Sequence, residues 1–511
     1  MVSASCTKEL EDTNIDQKGV PYGSYVPGLT LASMEANILI ISPAWQYQLQ
    51  QNLNADMYSG YMSSASAFAG GVNNLTYFMM DGWNGFITSV SFNNVLNSWL
   101  TVNSITQKSG NDDFNSIALI LKVLSFHRVT DIHGPLPYKK YGQGNDVAFD
   151  GQDSIYYAFF DELKTATNKL TAVYDANPEL ASSSWAFYDL SSYKGDLVKW
   201  IKLSNTLRLR LAMRISNVDP AKAKAEAEAA VNQKYGVLTA EDGPFTITCN
   251  EQRQNPLSTL SLVWGDCSVG APLECILGGY NDPRLSKYAQ PAADADVKGQ
   301  YKGIRQGIEL ANSQVYRQYS HPNINMSDPL IIMTAAESYF LRAEGALKGW
   351  NMGNATAQSL YEDGIKASFT QWGVSGADTY ISDNVSKPKS YIDTKNASNN
   401  IAAASDVTIK WDDAATAAVK LEKIITQKWI AMYPEGGEAW AEFRRTGYPK
   451  LFPVAVNSSN GEIPDGKFIA RIPYPTSITS TSPEQSKKAI EKYFNGHDGS
   501  YQRLWWMGTA K

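Results

Sequence analysis

TAAESYFLRAEGALKGWNMGNATAQSLYEDGIKASF, Thr334 to Phe369, is the stretch that decides the fold class. Thr334 followed three residues later by Glu337 fits a capping box, in which a hydroxyl and a carboxylate each satisfy an orphan backbone donor, so a helix begins here. Ala336, Phe340, Ala343 and Leu347 form its apolar stripe at steps of three and four. Gly349 to Gly353 make a turn, and a second helix from about Asn354 carries Tyr361, Ile365 and Phe369. The unit is about 34 residues long with small residues where its helices would touch, the build of a tetratricopeptide-type hairpin. The same spacing is not clearly repeated elsewhere, so any further repeats are degenerate.

Outward from this hairpin the chain stays helix-rich. Ile155, Phe159, Leu163, Ala166 and Leu170 share one helix face after Asp153 and Ser154. A second amphipathic helix, from about Asp196 to Asn217, puts Trp200, Leu203, Leu207 and Leu211 on one stripe and Lys199, Lys202, Arg208, Arg210 and Arg214 among its polar positions. Those cations read as a solvated or salt-bridged face. Between helical blocks lie long stretches rich in Asn, Ser, Gly and aromatics: 54–83, 246–320, 373–410 and 457–482. Loops of that length in a compact domain are usually functional. The predicted class is mainly α, a tetratricopeptide-like helical-hairpin scaffold with long ligand-binding loops and a few short strands. No linker divides it, so residues 20–511 read as a single domain behind an N-terminal segment, 1–19.

Composition narrows the partners. The 511 residues carry a formal net charge of -6, which argues against the basic face a nucleic-acid partner demands. No apolar run approaches the roughly 18 to 20 residues that span a bilayer, and the candidate Ile38 to Ile41 stops at Ser42 and Pro43. Four cysteines match no zinc spacing; Cys267 and Cys275 are readable as a pair or as free thiols. With 13 Trp and 28 Tyr against 17 Phe, the aromatic set leans toward rings with a hydrogen-bonding handle, which suit half-wet surfaces.

Enzyme motifs are scarce. None of the four histidines sits in a metal-ligating pattern, and neither a nucleophile elbow, a phosphate loop nor a dinucleotide fingerprint is present, so no cofactor or metal is expected. Asp294 and Asp296 open like a calcium loop, but Lys298 stands where a ligand is needed and Arg305 where the closing Glu belongs. Two carboxylates suffice for glycoside hydrolysis, and Asp131 near His133 or Glu435 near Glu438 would be the candidates. Both sets read more readily as structural.

At the start, Met1-Val-Ser-Ala-Ser-Cys6 places small residues before a cysteine and a polar stretch, the tail of a processed signal. Three segments then resemble the SusD/RagB family of outer-membrane nutrient-binding lipoproteins: Thr130 to Tyr138, similar to T-D-x-x-G-x-x-P-Y; Asp328 to Glu337 with Leu341 to Glu344, supported by Asp282-Pro-Arg284; and Gln427 to Trp429 through Gly436 to Pro449, followed by Arg471-Ile-Pro-Tyr-Pro475, Glu484 and Asn495. Trp200 to Arg210 adds to the match. The resemblance implies a helical cell-surface glycan-binding protein that catalyses nothing. It implies lipidation at Cys6, with Glu9, Glu11 and Asp12 resembling a surface-export signal, and delivery of the glycan to a TonB-dependent SusC-like transporter.

Sugars present apolar faces and many hydroxyls, so a receptor needs rings beside amides and charges. The expected ligand-binding set is Tyr58, Tyr61, Trp83 and Asn84 in one loop, and Trp264, Tyr280, Tyr301, Asn312, Gln314, Tyr316, Arg317 and Tyr319 in another. Two rival readings make different demands. An all-helical glycoside hydrolase or lyase needs a carboxylate pair in a deep cleft, and a peptide-binding tetratricopeptide scaffold needs a concave groove of helix faces.

Overall fold

The computed structural model describes residues 27–144, 146–179 and 185–508. Cys6, the acidic residues after it and the whole 1–19 segment lie outside the described residues. Helices of eleven residues or more are numbered α1 (Pro27–Ile38), α2 (Asn97–Ser109), α3 (Asp112–His133), α4 (Gln152–Ala176), α5 (Leu197–Arg214), α6 (Pro220–Val231), α7 (Ala335–Leu347), α8 (Ala357–Gln371), α9 (Ala417–Ala431), α10 (Gly436–Thr446) and α11 (Pro483–Phe494). Among the described residues four short strands make two antiparallel pairs, β1 (Met62–Ser63) with β3 (Ser268–Val269) and β2 (Phe245–Ile247) with β4 (Leu330–Met333). The fold is mainly α, as the periodicities predict.

Successive helices pack as neighbours, α3 on α4, α5 on α6 and α7 on α8, with α9 turning into α10. The predicted hairpin is α7–α8. Gly364 of α8 sits where a Cβ would come within 2.8 Å of the Phe340 ring, so only glycine lets the helices approach this closely. The second helix starts at Ala357 rather than Asn354, because Thr356 accepts the Ser359 N–H at 3.0 Å while the Ser359 hydroxyl accepts the Thr356 N–H at 3.1 Å. Only half of the expected box at Thr334 forms. Its hydroxyl accepts the Glu337 N–H at 3.3 Å, but the Glu337 carboxylate turns inward to Arg210.

That turn belongs to a buried ionic spine. Arg210 of α5 meets Glu337 of α7 at 2.6 Å; Arg214 of α5 meets Glu438 of α10 at 2.5 Å; Lys428 of α9 lies 3.2 Å from Glu442, 3.4 Å from Glu438 and 3.5 Å from Glu337. Arg445 of α10 is 2.6 Å from Glu344 of α7 and 2.8 Å from Glu442. Asp131 of α3 closes the set at 3.5 Å from Arg214 and accepts the Tyr156 hydroxyl at 2.5 Å. Of the α5 cations, Arg210 and Arg214 are therefore interior, Arg208 is buried against Glu226, and Lys199 and Lys202 stay half-exposed, Lys202 paired with Asp242 at 2.8 Å. Burial opposes ionisation of Glu438, yet Arg214, Arg210 and Lys428 outweigh it and hold the carboxyl down at about 2. Glu442, equally buried, is held well below the usual range by Arg445 and Lys428.

The resemblance segments are fasteners. Arg444 forms no ion pair with Glu438 or Glu442; it lies 3.6 Å over Trp440 and donates to the carbonyls of Asp131 at 2.6 Å and Ala470 at 2.9 Å. Trp429 and Trp440 each find a loop tyrosine, Tyr61 at 4.7 Å and Tyr58 at 5.0 Å. Arg284 donates to Asp282 at 2.6 Å, Ser368 of α8 at 2.9 Å and Gln427 of α9 at 3.0 Å. Arg471 reaches the His133 carbonyl at 2.8 Å, and the Tyr474 hydroxyl the Pro135 carbonyl at 2.5 Å, so the first and last segments lock together. Cys249, Cys267 and Cys275 are buried free thiols.

Removing one member of the spine leaves its partners charged and unpaired, so Glu438→Gln should lower the unfolding free energy by about 3–5 kcal/mol in urea titrations. Because the Glu438 carboxyl is depressed, its contribution is complete above its unfolded value of 4.5 and disappears as pH falls toward 2. Asp56 has the opposite sign. It accepts from Gln51 at 2.8 Å and Asn52 at 3.4 Å, and burial pushes it from 3.8 up to about 7, so its protonated form is favoured and stability is lost as pH rises through 7. Asp56→Asn should flatten the decline in thermal midpoint that the unsubstituted protein shows between about pH 4 and about pH 7.

Candidate functional site

Three segments between the helices meet at Asp266. Its carboxylate accepts the Ser66 hydroxyl at 2.7 Å and the Gln48 amide at 3.4 Å, while its N–H donates to the Leu260 carbonyl at 2.9 Å. The 44–56 helical segment, the loop from Ser64 to Phe86 and the 259–266 turn are thereby tied together. Each brings an aromatic ring to the surface. Trp45, 45% exposed, meets Phe86 edge-on at 5.2 Å, and half-buried Trp83 meets Phe68 edge-on at 5.9 Å. Half-buried Trp264 follows the exposed Leu262 and Val263.

The Trp264 turn is held from behind. Arg317 donates to the Trp264 carbonyl at 3.1 Å, and its guanidinium lies where a Cβ on Gly265 would come within 2.9 Å; Gly265 also has φ +72°. Both ring nitrogens of His321 face carbonyls, those of Cys267 and Arg317, each at 2.9 Å. Asn312 and Gln314 are exposed in the loop leading to Arg317, and Tyr301 is half-buried against the core.

Half of the expected ligand set serves the interior instead. Tyr58 donates to the Asn74 carbonyl at 2.9 Å, and Asn84 accepts the Asn74 amide at 2.8 Å, so this pair shapes the loop that carries Trp83. Tyr61 is fully buried and donates to the Trp429 carbonyl. Tyr280 donates to the Val407 carbonyl at 3.0 Å, Tyr316 to Asp393 at 2.8 Å, and Tyr319 pairs with Thr394 at 2.9 Å. All of these rings are buried and offer no face to a ligand. A tyrosine hydroxyl can be satisfied by a carbonyl in a long, irregular loop as well as by water, which composition cannot distinguish. Conversely, Trp45, Phe68, Phe86 and Asp266 were not among the expected residues. The sequence signal for two of them is position alone: Trp45 just after Pro43, and Phe68 inside the long aromatic loop.

The carboxylates considered for hydrolysis are structural. Asp131 is raised by burial, against the pull of Arg214 and Tyr156, and His133 is lowered to about 3 by burial and Arg471. Glu435 meets Arg128 at 2.9 Å and caps α10 through the Gly437 and Glu438 N–H groups. The abortive calcium loop is closed by Lys395, 2.9 Å from Asp294 and 2.7 Å from Asp296. Phe340 and Tyr361, on the facing sides of the α7–α8 hairpin, are fully buried, while Asp363 and Lys366 are exposed on the outer side.

Comparison with known proteins places this arrangement. Nothing among curated protein sequences matches the chain. It is similar to the solved structure of a chitin-binding SusD homologue from Flavobacterium johnsoniae, with 44% identity, a TM-score of 0.90, and coverage of 95% of this chain and 99% of that one. A SusD homologue from Bacteroides vulgatus ATCC 8482 matches with 36% identity and a TM-score of 0.88 over 94% of this chain and 97% of that one. Another structure, described as a chitin-binding protein, matches with 25% identity and a TM-score of 0.74 over 95% and 100%. The profile of SusD and RagB outer membrane lipoproteins covers residues 9–507, and the chain belongs to this SusD-like family.

Proposed function

We propose that the protein is a cell-surface glycan receptor that captures a neutral polysaccharide, with chitin the first to test, and passes it to a TonB-dependent SusC-like transporter without cleaving it. The observation that carries this reading is the set of half-exposed indoles, Trp45, Trp83 and Trp264, on segments fastened by one carboxylate. Their ring faces can lie against the CH faces of sugars, while Asn312, Gln314 and Arg317, with Tyr301, supply partners for hydroxyls. The 44% identity to a chitin-binding homologue supports the choice of polymer. In this proposal Cys6 carries the anchoring lipid, residues 1–19 form the tether and residues 20–511 act as one domain. Shallow sugar contacts give weak binding at one site, which tethering beside the transporter offsets by raising effective concentration.

Calorimetry with chitin oligosaccharides and a panel of other glycans should find binding that weakens roughly tenfold, about 1.4 kcal/mol, in Trp83→Ala and in Trp264→Ala. Tyr316→Phe should bind normally but lose about 1 kcal/mol of stability, since only an internal hydrogen bond is removed. Incubation should release no new reducing ends. Unaltered affinity in both tryptophan variants, or glycan cleavage, would refute the reading.

A further inference from the structure

A cavity of about 300 Å³ lies away from Asp266, where the β2–β4 pair meets the C-terminal end of α8 and the turn before α10. The β2–β4 register slips between Phe245 and Thr246, and Thr246 and Ile331 both face the opening this makes. Its floor is apolar, made by Pro329, Pro434, Ile331 and the Trp372 ring, and beside it Gln371 brings an amide whose nitrogen, like the Trp372 indole nitrogen, is buried with no hydrogen-bond partner. The wall is preformed. Trp372 abuts Tyr288 edge-on at 4.7 Å, Tyr288 stacks on Tyr433 at 4.5 Å, and Asn255 donates to the Asp328 carbonyl at 3.0 Å.

The polar rim sets the ligand's chemistry. No cationic side chain lines the cavity, and its one titratable group is Asp328, so phosphates, sulfates and acidic sugars are disfavoured. Asp328 spends Oδ2 on the Asn325 N–H at 2.7 Å and amide at 3.2 Å, leaving Oδ1 as an acceptor. Asn323 offers its side-chain oxygen, its nitrogen being engaged only loosely with the Ser286 carbonyl at 3.5 Å. Acceptors on Asp328 and Asn323 with the Gln371 amide beside an apolar floor call for a ring with one apolar face and hydroxyls, which both donate and accept, on its edge. The volume is at the small end of ligand pockets, which run from about 300 to 1,000 Å³, so one ring fits and a chain does not.

We infer that this cavity is a second sugar site, taking a single neutral pyranose unit independently of the Trp83 and Trp264 surface. The site and that surface lie at opposite ends of the 255–264 segment, about 14 Å apart along it at helical rise. This inference does not require the loop surface to bind polymer, and the two are separable by experiment.

Saturation-transfer NMR with N-acetylglucosamine, glucose and galactose, on the full chain, reads the site directly. At least one of these sugars should give a signal that persists in the Trp83→Ala/Trp264→Ala double variant. Ile331→Trp, which fills the cavity, should weaken it at least tenfold, and the milder Asn323→Ala, on a side chain with little structural duty, severalfold. The inference is overturned if none of the sugars gives a signal, if the signal vanishes in the double variant, or if it survives unchanged in folded Ile331→Trp and Asn323→Ala. Saturation by methylammonium or a short apolar peptide in place of every sugar would likewise overturn it.

Discussion

The buried ionic spine is the constraint on which the molecule depends. Four cations, Arg210, Arg214, Lys428 and Arg445, face four glutamates, Glu337, Glu344, Glu438 and Glu442, in the buried interior. A buried ion pair is not in itself a large net source of stability, because desolvation offsets most of the attraction. Its value here is positional. The partners lie on α5, α7, α9 and α10, so each helical pair is fixed against the next by groups that tolerate no other arrangement. Apolar contacts such as Phe340 on Gly364 fill the space between.

What the sequence discloses is what local chemistry determines. The α7–α8 hairpin, the stripes on α4 and α5 and the mainly α class all follow from periodicity and capping residues, because those signals act within a few residues of chain. The role of Glu337 could not be read that way. Its position three after Thr334 fits a local cap, but Arg210, 127 residues earlier, competes for the carboxylate and wins. Arg444 shows the same limit, since its partners are the carbonyls of Asp131, 313 residues earlier, and of Ala470. Sequence distance hides such partners.

The ligand surface shows the same limit more sharply. The long stretches between the main helices are legible in outline, although 246–320 also holds short helices such as Ala271–Gly279, and Trp83, Trp264, Asn312, Gln314, Arg317 and Tyr301 remain accessible in them. The other tyrosines do not, since interior rings are held by acceptors on remote segments, Asp393 for Tyr316 and Val407 for Tyr280. Irregular backbone carries many unpaired carbonyls, and buried tyrosines are one means of satisfying them. The segments that carry Trp45, Trp83 and Trp264 are tied together by a single carboxylate, Asp266, whose importance no periodicity could reveal.

The spine also acts as a test of correct assembly. Scaffolds built from similar helical pairs are prone to docking in the wrong order or exchanging units between molecules, because one apolar face fits several others. Here a hairpin docked out of place would strand Lys428 or Arg214 in the core without its carboxylates, a fault far more costly than a misplaced leucine. Charges sealed inside the protein thus serve as a lock code among interchangeable parts, leaving the loops free to diverge without endangering the register of the helices beneath them.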